Sequence, residues 1–577
     1  MTKQYPFIDM HAHFFNGAYL PLHGILLSWD VKALLAKPAA RLLQSLVFLS
    51  RFREASLVGD LRPDEQELVD AIQSGDPDLL MNSAVRRALK VIEDLSEGSL
   101  DDPSVFDHLR QISDAIRDMS RYFELDRHGV VPGTTIRKSL HGAQMDRDQL
   151  AQDLAEVLFH ALPEIAEAAE HSSLMDHHAS HAARSPHDDY PPSPEGSALI
   201  QKGLPVGQLG STKQLLLFVI SMLCSERTRL RLIRSDYAKG KPADGYDPEH
   251  LISLLPDLGS AYEEQHGKLL PPRVDAIQQM RRTVALAGES GGQIVPFGSV
   301  EPFSRDAHRS YWREKVEFGR EMGITGFKIY PPSGFRAIDP ALLPAGGRYG
   351  PDYITPIDPQ HSDYYQTAQT FQNFSRINEV MEEILRYFSD NQLRLFTHCT
   401  PEGFEARTGL GVNADPAFWD MAMIQYEATD LWLCLGHGGG HTRWDWGGWT
   451  AQEADWPNTF AYKVVDMCRR YPNVYCDFGY LTDILGKSEA AQIRRDRMLE
   501  RLEALLLDTE TTAEHPYKFS DKVVFGTDWS MPHMIGETRA YLDAFLAFFD
   551  RSPALAARAP AFFHGNARRY LGMPAVG

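Results

Sequence analysis

The stretch Phe7-Ile-Asp-Met-His-Ala-His-Phe-Phe15 sets two histidines two residues apart behind an apolar run and an aspartate. Read as a β-strand, side chains alternate between faces. Asp9, His11 and His13 then share one face, and Ile8, Met10 and Ala12 take the other. Two imidazoles on one face either bond to neighbours at a strand end or form half of a cation site. Partners elsewhere in the chain decide between these.

Working outward, the C-terminal half repeats one pattern, a short β-rich run followed by a longer helical one. The runs are residues 293–300 (QIVPFGSV), 324–332 (ITGFKIYPP), 393–399 (LRLFTHC), 431–440 (LWLCLGHGGG), 473–480 (NVYCDFGY) and 522–530 (KVVFGTDWS). Helical patterns such as DPAFWDMAMIQYEAT and FAYKVVDMCRRYP fill the gaps. With residues 5–13 and the weaker 251–258 (LISLLPDL), the chain offers eight strands. Strands alternating with helices form parallel sheets, and eight of them predict an α/β fold of the (β/α)8 TIM-barrel type.

Three divisions follow. Residues 1–29 carry the first strand. Residues 30–245 form a large helical insertion, in which a helix near TRLRLIRSDYA serves as the barrel's own first helix. Residues 246–577 hold the rest of the barrel and a closing helix at HGNARRYLG, where Asn566 and Arg568 act structurally. A barrel that large accommodates the 577-residue chain, and 43% apolar residues supply its core. Anything inserted after the first strand rises on the active-site side, so the insertion is expected to cap the pocket. Within it, residues 171–197 are rich in His, Pro and Ser and read as a mobile, solvated loop; His177, His178 and His181 lack an apolar frame there.

The formal net charge of −20 argues against nucleic acid or a membrane surface as partner and leaves a small-molecule substrate. No apolar run is long enough to span a bilayer. Five scattered cysteines without a CxxC pair read as reduced thiols, and the first residues do not resemble a signal peptide. A cytoplasmic protein, compatible with a homo-oligomer, is the expectation.

Active sites of such barrels lie at the C-terminal strand ends. There stand His11 and His13, Lys328, His398, His437 and Asp528, each closing a run of apolar residues. Their shared position points to a divalent first-row ion, Zn²⁺ or Mn²⁺, beside a position open to water.

The motifs DMHAH, THC, LCLGHGGG, FGTDW and the terminal FFHGNARRYLG resemble the amidohydrolase superfamily. The likeness is strongest to the amidohydrolase-related branch that includes the aminocarboxymuconate semialdehyde decarboxylase type. It covers residues 1–16 and about 250–577. The resemblance implies His11, His13, His398 and Asp528 as ligands of one metal. It makes His437 the group that polarises the substrate or moves a proton, and Asp528 the acceptor of a water proton. Lys328 either binds a substrate carboxylate or, carboxylated as in two-metal relatives, bridges two ions; Tyr330 shares its face. Asp9 orients a metal-bound histidine or bonds to backbone. In the loops beyond, His441, Arg443, Trp444, Asp445 and Trp446 either line the pocket or pack on the surface, and Arg336 and Arg407 either hold an anion or are solvated. The expected activity is hydrolysis of an amide, ester or lactone; the alternatives are a non-oxidative decarboxylase and, from another class, a scaffold without chemistry.

Overall fold

The computed structural model describes residues 5–50 except 30, 62–74, 103–123, 221–238 except 223, and 247–574 apart from 304–310, 340–373, 402, 408–409, 441–447, 486–488 and 530–537. Isolated residues of 76–90 and 149–165 are also described. The 171–197 loop and His441 to Trp446 therefore lie outside the described residues.

Among the described residues there are nine short strands, separated by helices except between β3 and β4: β1 (Ile8–Ala12), β2 (His250–Ser253), β3 (Ile294–Pro296), β4 (Gly298–Ser299), β5 (Gly326–Ile329), β6 (Arg394–Thr397), β7 (Trp432–Leu435), β8 (Val474–Asp477) and β9 (Val523–Val524). They form two parallel sheets, β1-β2-β3 and β4 through β9 in sequence order. Sequential parallel pairing follows from the βα rhythm, because each helix carries the chain back to the starting edge. Only Phe297 separates β3 from β4. At the other margin, β1 meets the end of the second sheet. Met10 N donates to Phe525 O (3.0 Å), Asp528 N to His11 O (2.7 Å) and His13 N to Trp529 O (2.7 Å).

The strands are buried on both faces. One apolar cluster gathers Ile8, Met10, Ile252, Leu254, Phe297, Phe396, Cys434, Tyr475 and Val524, with Ala567 and Tyr570 from the C-terminal helix Asn566–Leu571 against it. A second, larger cluster holds the opposite face (Leu251, Phe327, Leu395, Leu433, Val474, Phe525) and the packed helices. Asn566 fastens the C-terminal helix by donating to Ser520 O and Val523 O. The described helices between β1 and β2 share the larger cluster. Helices Ala33–Ser50 and Pro103–Tyr122 pack on each other, and Glu226–Ala238 packs on Thr538–Phe549.

One expectation fails here. β1 does not alternate evenly, because its register with β2 shifts between Asp9 and Ala12. Asp9 pairs with Leu251 of the larger cluster, whereas Met10 belongs to the smaller one. His11 follows Met10 onto that same side, its ring 5.0 Å from the Phe396 ring. A bulge of this kind re-aims one side chain at the expense of the pleat. Asp9 therefore does not share a face with His11.

All five cysteines are buried and none forms a disulfide. Among the described residues no helix is long and apolar enough to cross a membrane.

Candidate metal centre

The bulge aims the His11 ring at the C-terminal ends of the strands. There the Nε2 atoms of His11 and His13 stand 3.3 and 2.9 Å from one oxygen of Asp528, Oδ1. Ligand atoms of these three residues all lie within 4.8 Å of one another. His11 is buried and His13 is half-buried, the more accessible side of the group.

Both rings are oriented from behind. His13 Nδ1–H donates to Leu254 O (2.9 Å); a carbonyl only accepts, so Nδ1 carries a proton and Nε2 is the atom turned toward Asp528. His11 Nδ1–H donates to Asp477 Oδ1 (3.1 Å), which leaves its Nε2 lone pair on the same point. Burial holds the His11 pKa well below the usual histidine value, and the charges of Lys328 and the neighbouring histidines push the same way. Two imidazole nitrogens and a carboxylate oxygen thus converge on one point. With no proton between them that donor set suits a small cation, and each histidine is backed by a hydrogen-bond acceptor as metal-bound histidines are.

Asp477, at the end of β8, did not stand out in the sequence reading. Its Oδ1 accepts from Gly479 N (2.6 Å) as well as from His11, and its Oδ2 accepts from His437 N (3.2 Å). It closes an apolar run, Val474 to Cys476, just as His398 and His437 do, and that was the available signal. Burial pushes its carboxyl above the usual range, while Lys328 pulls it down.

His398 is not within the three-residue group. Its Nδ1 faces His437 Nε2 at 3.1 Å, and its ring lies 4.6 Å from those of His437 and Tyr330. His437 Nδ1–H donates to Gly479 O (3.0 Å), so neutral His437 accepts at Nε2 from His398 Nδ1–H. Burial pulls the His437 pKa down to about 4, so the ring is neutral at pH 7. His437 and Asp528 both adopt left-handed backbone, with φ of 62° and 61°. Such strain costs about 1–3 kcal/mol per non-glycine residue and collects at functional sites.

Lys328 Nζ lies 3.5 Å from His11 Nε2 and 4.4 Å from the centre of the Phe396 ring. Burial lowers its pKa, against the attraction of Asp477 and Asp528. Tyr330 accepts from Phe404 N (2.8 Å) and packs beside His398. Asp9 accepts from Thr527 N, Thr527 Oγ1, Tyr237 Oη and His11 N, and touches no imidazole ring. It therefore ties β1 to the backbone just before Asp528. Arg336 donates to Asn413 Oδ1 (2.9 Å) over the Phe418 ring, and Arg407 is exposed.

Helix Glu226–Ala238 reaches this region from behind. Tyr237 bonds Asp9, and buried Arg229 donates to His13 O (2.9 Å) while lying 4.8 Å from the Trp529 ring.

No family model matches the chain, and no curated protein does. Similar solved structures include an amidohydrolase from Burkholderia multivorans with bound zinc (12% identity, 57% of this chain and 84% of that one, TM-score 0.34). A 5-carboxyvanillate decarboxylase from Novosphingobium aromaticivorans with bound manganese is 14% identical over 72% of this chain and 93% of its own, with a TM-score of 0.32. A 2,6-dihydroxybenzoate decarboxylase from Rhizobium is 12% identical over 65% and 94%, also at 0.32. These structural neighbours are an amidohydrolase and two decarboxylases. At such scores the likeness carries no argument, and the functional reading rests on the residues of the site.

Proposed function

We propose that the chain is a metal-dependent hydrolase of the amidohydrolase type, acting on an amide, ester or lactone at the C-terminal end of a closed (β/α)8 barrel. Closure is supported by the hydrogen bonds from Met10, His13 and Asp528 that join the first and last strands, and by the single residue between β3 and β4. The observation that carries the function is the convergence of His11 Nε2, His13 Nε2 and Asp528 Oδ1, three atoms of metal-ligating type aimed at one point.

These three residues would hold a divalent first-row ion, Zn²⁺ or Mn²⁺, and His398 would complete the ligand set. When bound, the ion supplies Lewis acidity to an oxygen of water or substrate. The remaining work belongs to side chains. Asp528 takes the proton from the attacking water and returns it to the leaving atom. His437, neutral and with its one N–H committed to Gly479 O, has no hydrogen to offer an oxyanion; it accepts and relays protons through His398. The cation for developing negative charge is Lys328. The described helices between β1 and β2 form one wall of the pocket.

A second reading, a non-oxidative decarboxylase, is favoured by one observation: the buried Lys328 amine beside His11 is suited to hold a substrate carboxylate. Metal-loaded protein assayed against esters, lactones and amides, beside aromatic acids monitored for CO₂, separates the two. Hydrolysis without CO₂ release is the expected result. CO₂ release without hydrolysis would replace the first reading by the second.

A further inference from the structure

We infer that Asp477 is the positioning residue of this centre: one carboxylate fixes the His11 ring as a ligand and pins the left-handed turn that carries His437. This rests on the metal reading above. Asp477 is fully buried, and its two oxygens receive three N–H groups, from the His11 ring, Gly479 and the His437 backbone. Those donors come from β1, from the turn after β8 and from the turn after β7. One side chain thus sets three segments against one another.

The space around it is made by glycines. A Cβ at Gly479 would lie 2.7 Å from Asp477 Oδ1 and 2.9 Å from His11 Nδ1. A Cβ at Gly526 would lie 3.0 Å from that oxygen and 2.9 Å from His11 Cβ. Neither distance is one that real side chains tolerate without movement. Neither glycine has left-handed φ, so close approach, and not backbone conformation, is the reason a side chain is excluded there.

The chemistry explains why a carboxylate is needed. The three groups hydrogen-bonded to Asp477 are all N–H donors, so the residue accepts on both oxygens. An asparagine cannot. Facing its oxygen to His11 and Gly479 leaves its NH₂ against His437 N–H. Turned over, the NH₂ faces the His11 ring, whose Nδ1 must then become the acceptor. The ring proton moves to Nε2, and the lone pair directed at Asp528 is gone. A carboxylate on Nδ1–H also makes Nε2 a stronger donor to a cation.

The test is a Co²⁺ titration of metal-stripped wild type, Asp477→Asn and Gly479→Ala, following the visible absorption of the bound ion and its amount per chain. Gly479→Ala leaves the carboxylate in place and wedges a methyl group between it and the His11 ring. Wild type should take up about one ion. Both variants should bind about 10–100-fold more weakly, with an altered absorption band and an unchanged far-ultraviolet circular dichroism spectrum. Binding of both variants within about twofold of wild type would overturn the role of Asp477 and leave the metal centre standing. No ion in wild type would overturn both. If Asp477→Asn does not fold, Gly479→Ala decides by the same criterion.

Discussion

The same strands present two different surfaces along one face. Toward their N-terminal ends they show Ile8, Met10, Ile252, Phe396, Cys434, Tyr475 and Val524, closed off by Ala567 and Tyr570. One to four residues further along the chain stand His11, His398, His437, Asp477 and Asp528. The first surface follows the ordinary rules of a core. The second breaks them: it buries Lys328 and two aspartates, Asp477 and Asp528, bulges β1 and holds His437 and Asp528 at positive φ. The apolar end holds the strands together, and the polar end draws on that rigidity to keep donors aimed at one point.

The sharpest way to break this contrast is at the polar end. His11→Ala or His13→Ala should remove nearly all of the bound ion, from about one per chain in wild type, as read by elemental analysis. Retention of a full complement would put the ion elsewhere. At the apolar end, Ile252→Ala should destabilise the fold by about 2–5 kcal/mol, measured by denaturant unfolding, with ion content per folded chain unchanged. Loss of ion there would show that the two ends are not separable. His437→Asn is expected to keep the ion and lower turnover by about 10²-fold. Loss of the ion in that variant would make His437 a ligand. The smallest effect is predicted for Lys328→Met, which should leave ion content at about one per chain. A fall from two ions to one would instead give Lys328 the bridging role.

Much of this division was visible in the sequence, for a physical reason. A parallel strand buried on both faces is apolar throughout, so a histidine or aspartate closing such a run stands out. That logic located His11, His13, His398, His437, Asp528 and Lys328, and the helix at Asn566 that closes the other end. It did not locate Asp477, which obeys the same rule in VYCD but lacks a histidine's association with metal. The position of Asp9 was misread because a bulge, here in the register of β1 against β2, depends on backbone pairing and not on the identity of the bulged residues. The direction in which His437 holds its proton was beyond sequence for a similar reason. Which nitrogen carries the proton is decided by the Gly479 carbonyl, and that carbonyl has no signature.

The central claim is that His11, His13 and Asp528 form a metal site. Anomalous X-ray diffraction from crystals of the metal-loaded protein, collected at the absorption edge of the ion, tests it most directly. The account predicts one dominant peak within about 2.0–2.2 Å of His11 Nε2, His13 Nε2 and an oxygen of Asp528. A peak bound by other residues, or no peak in a protein that is active, would contradict it.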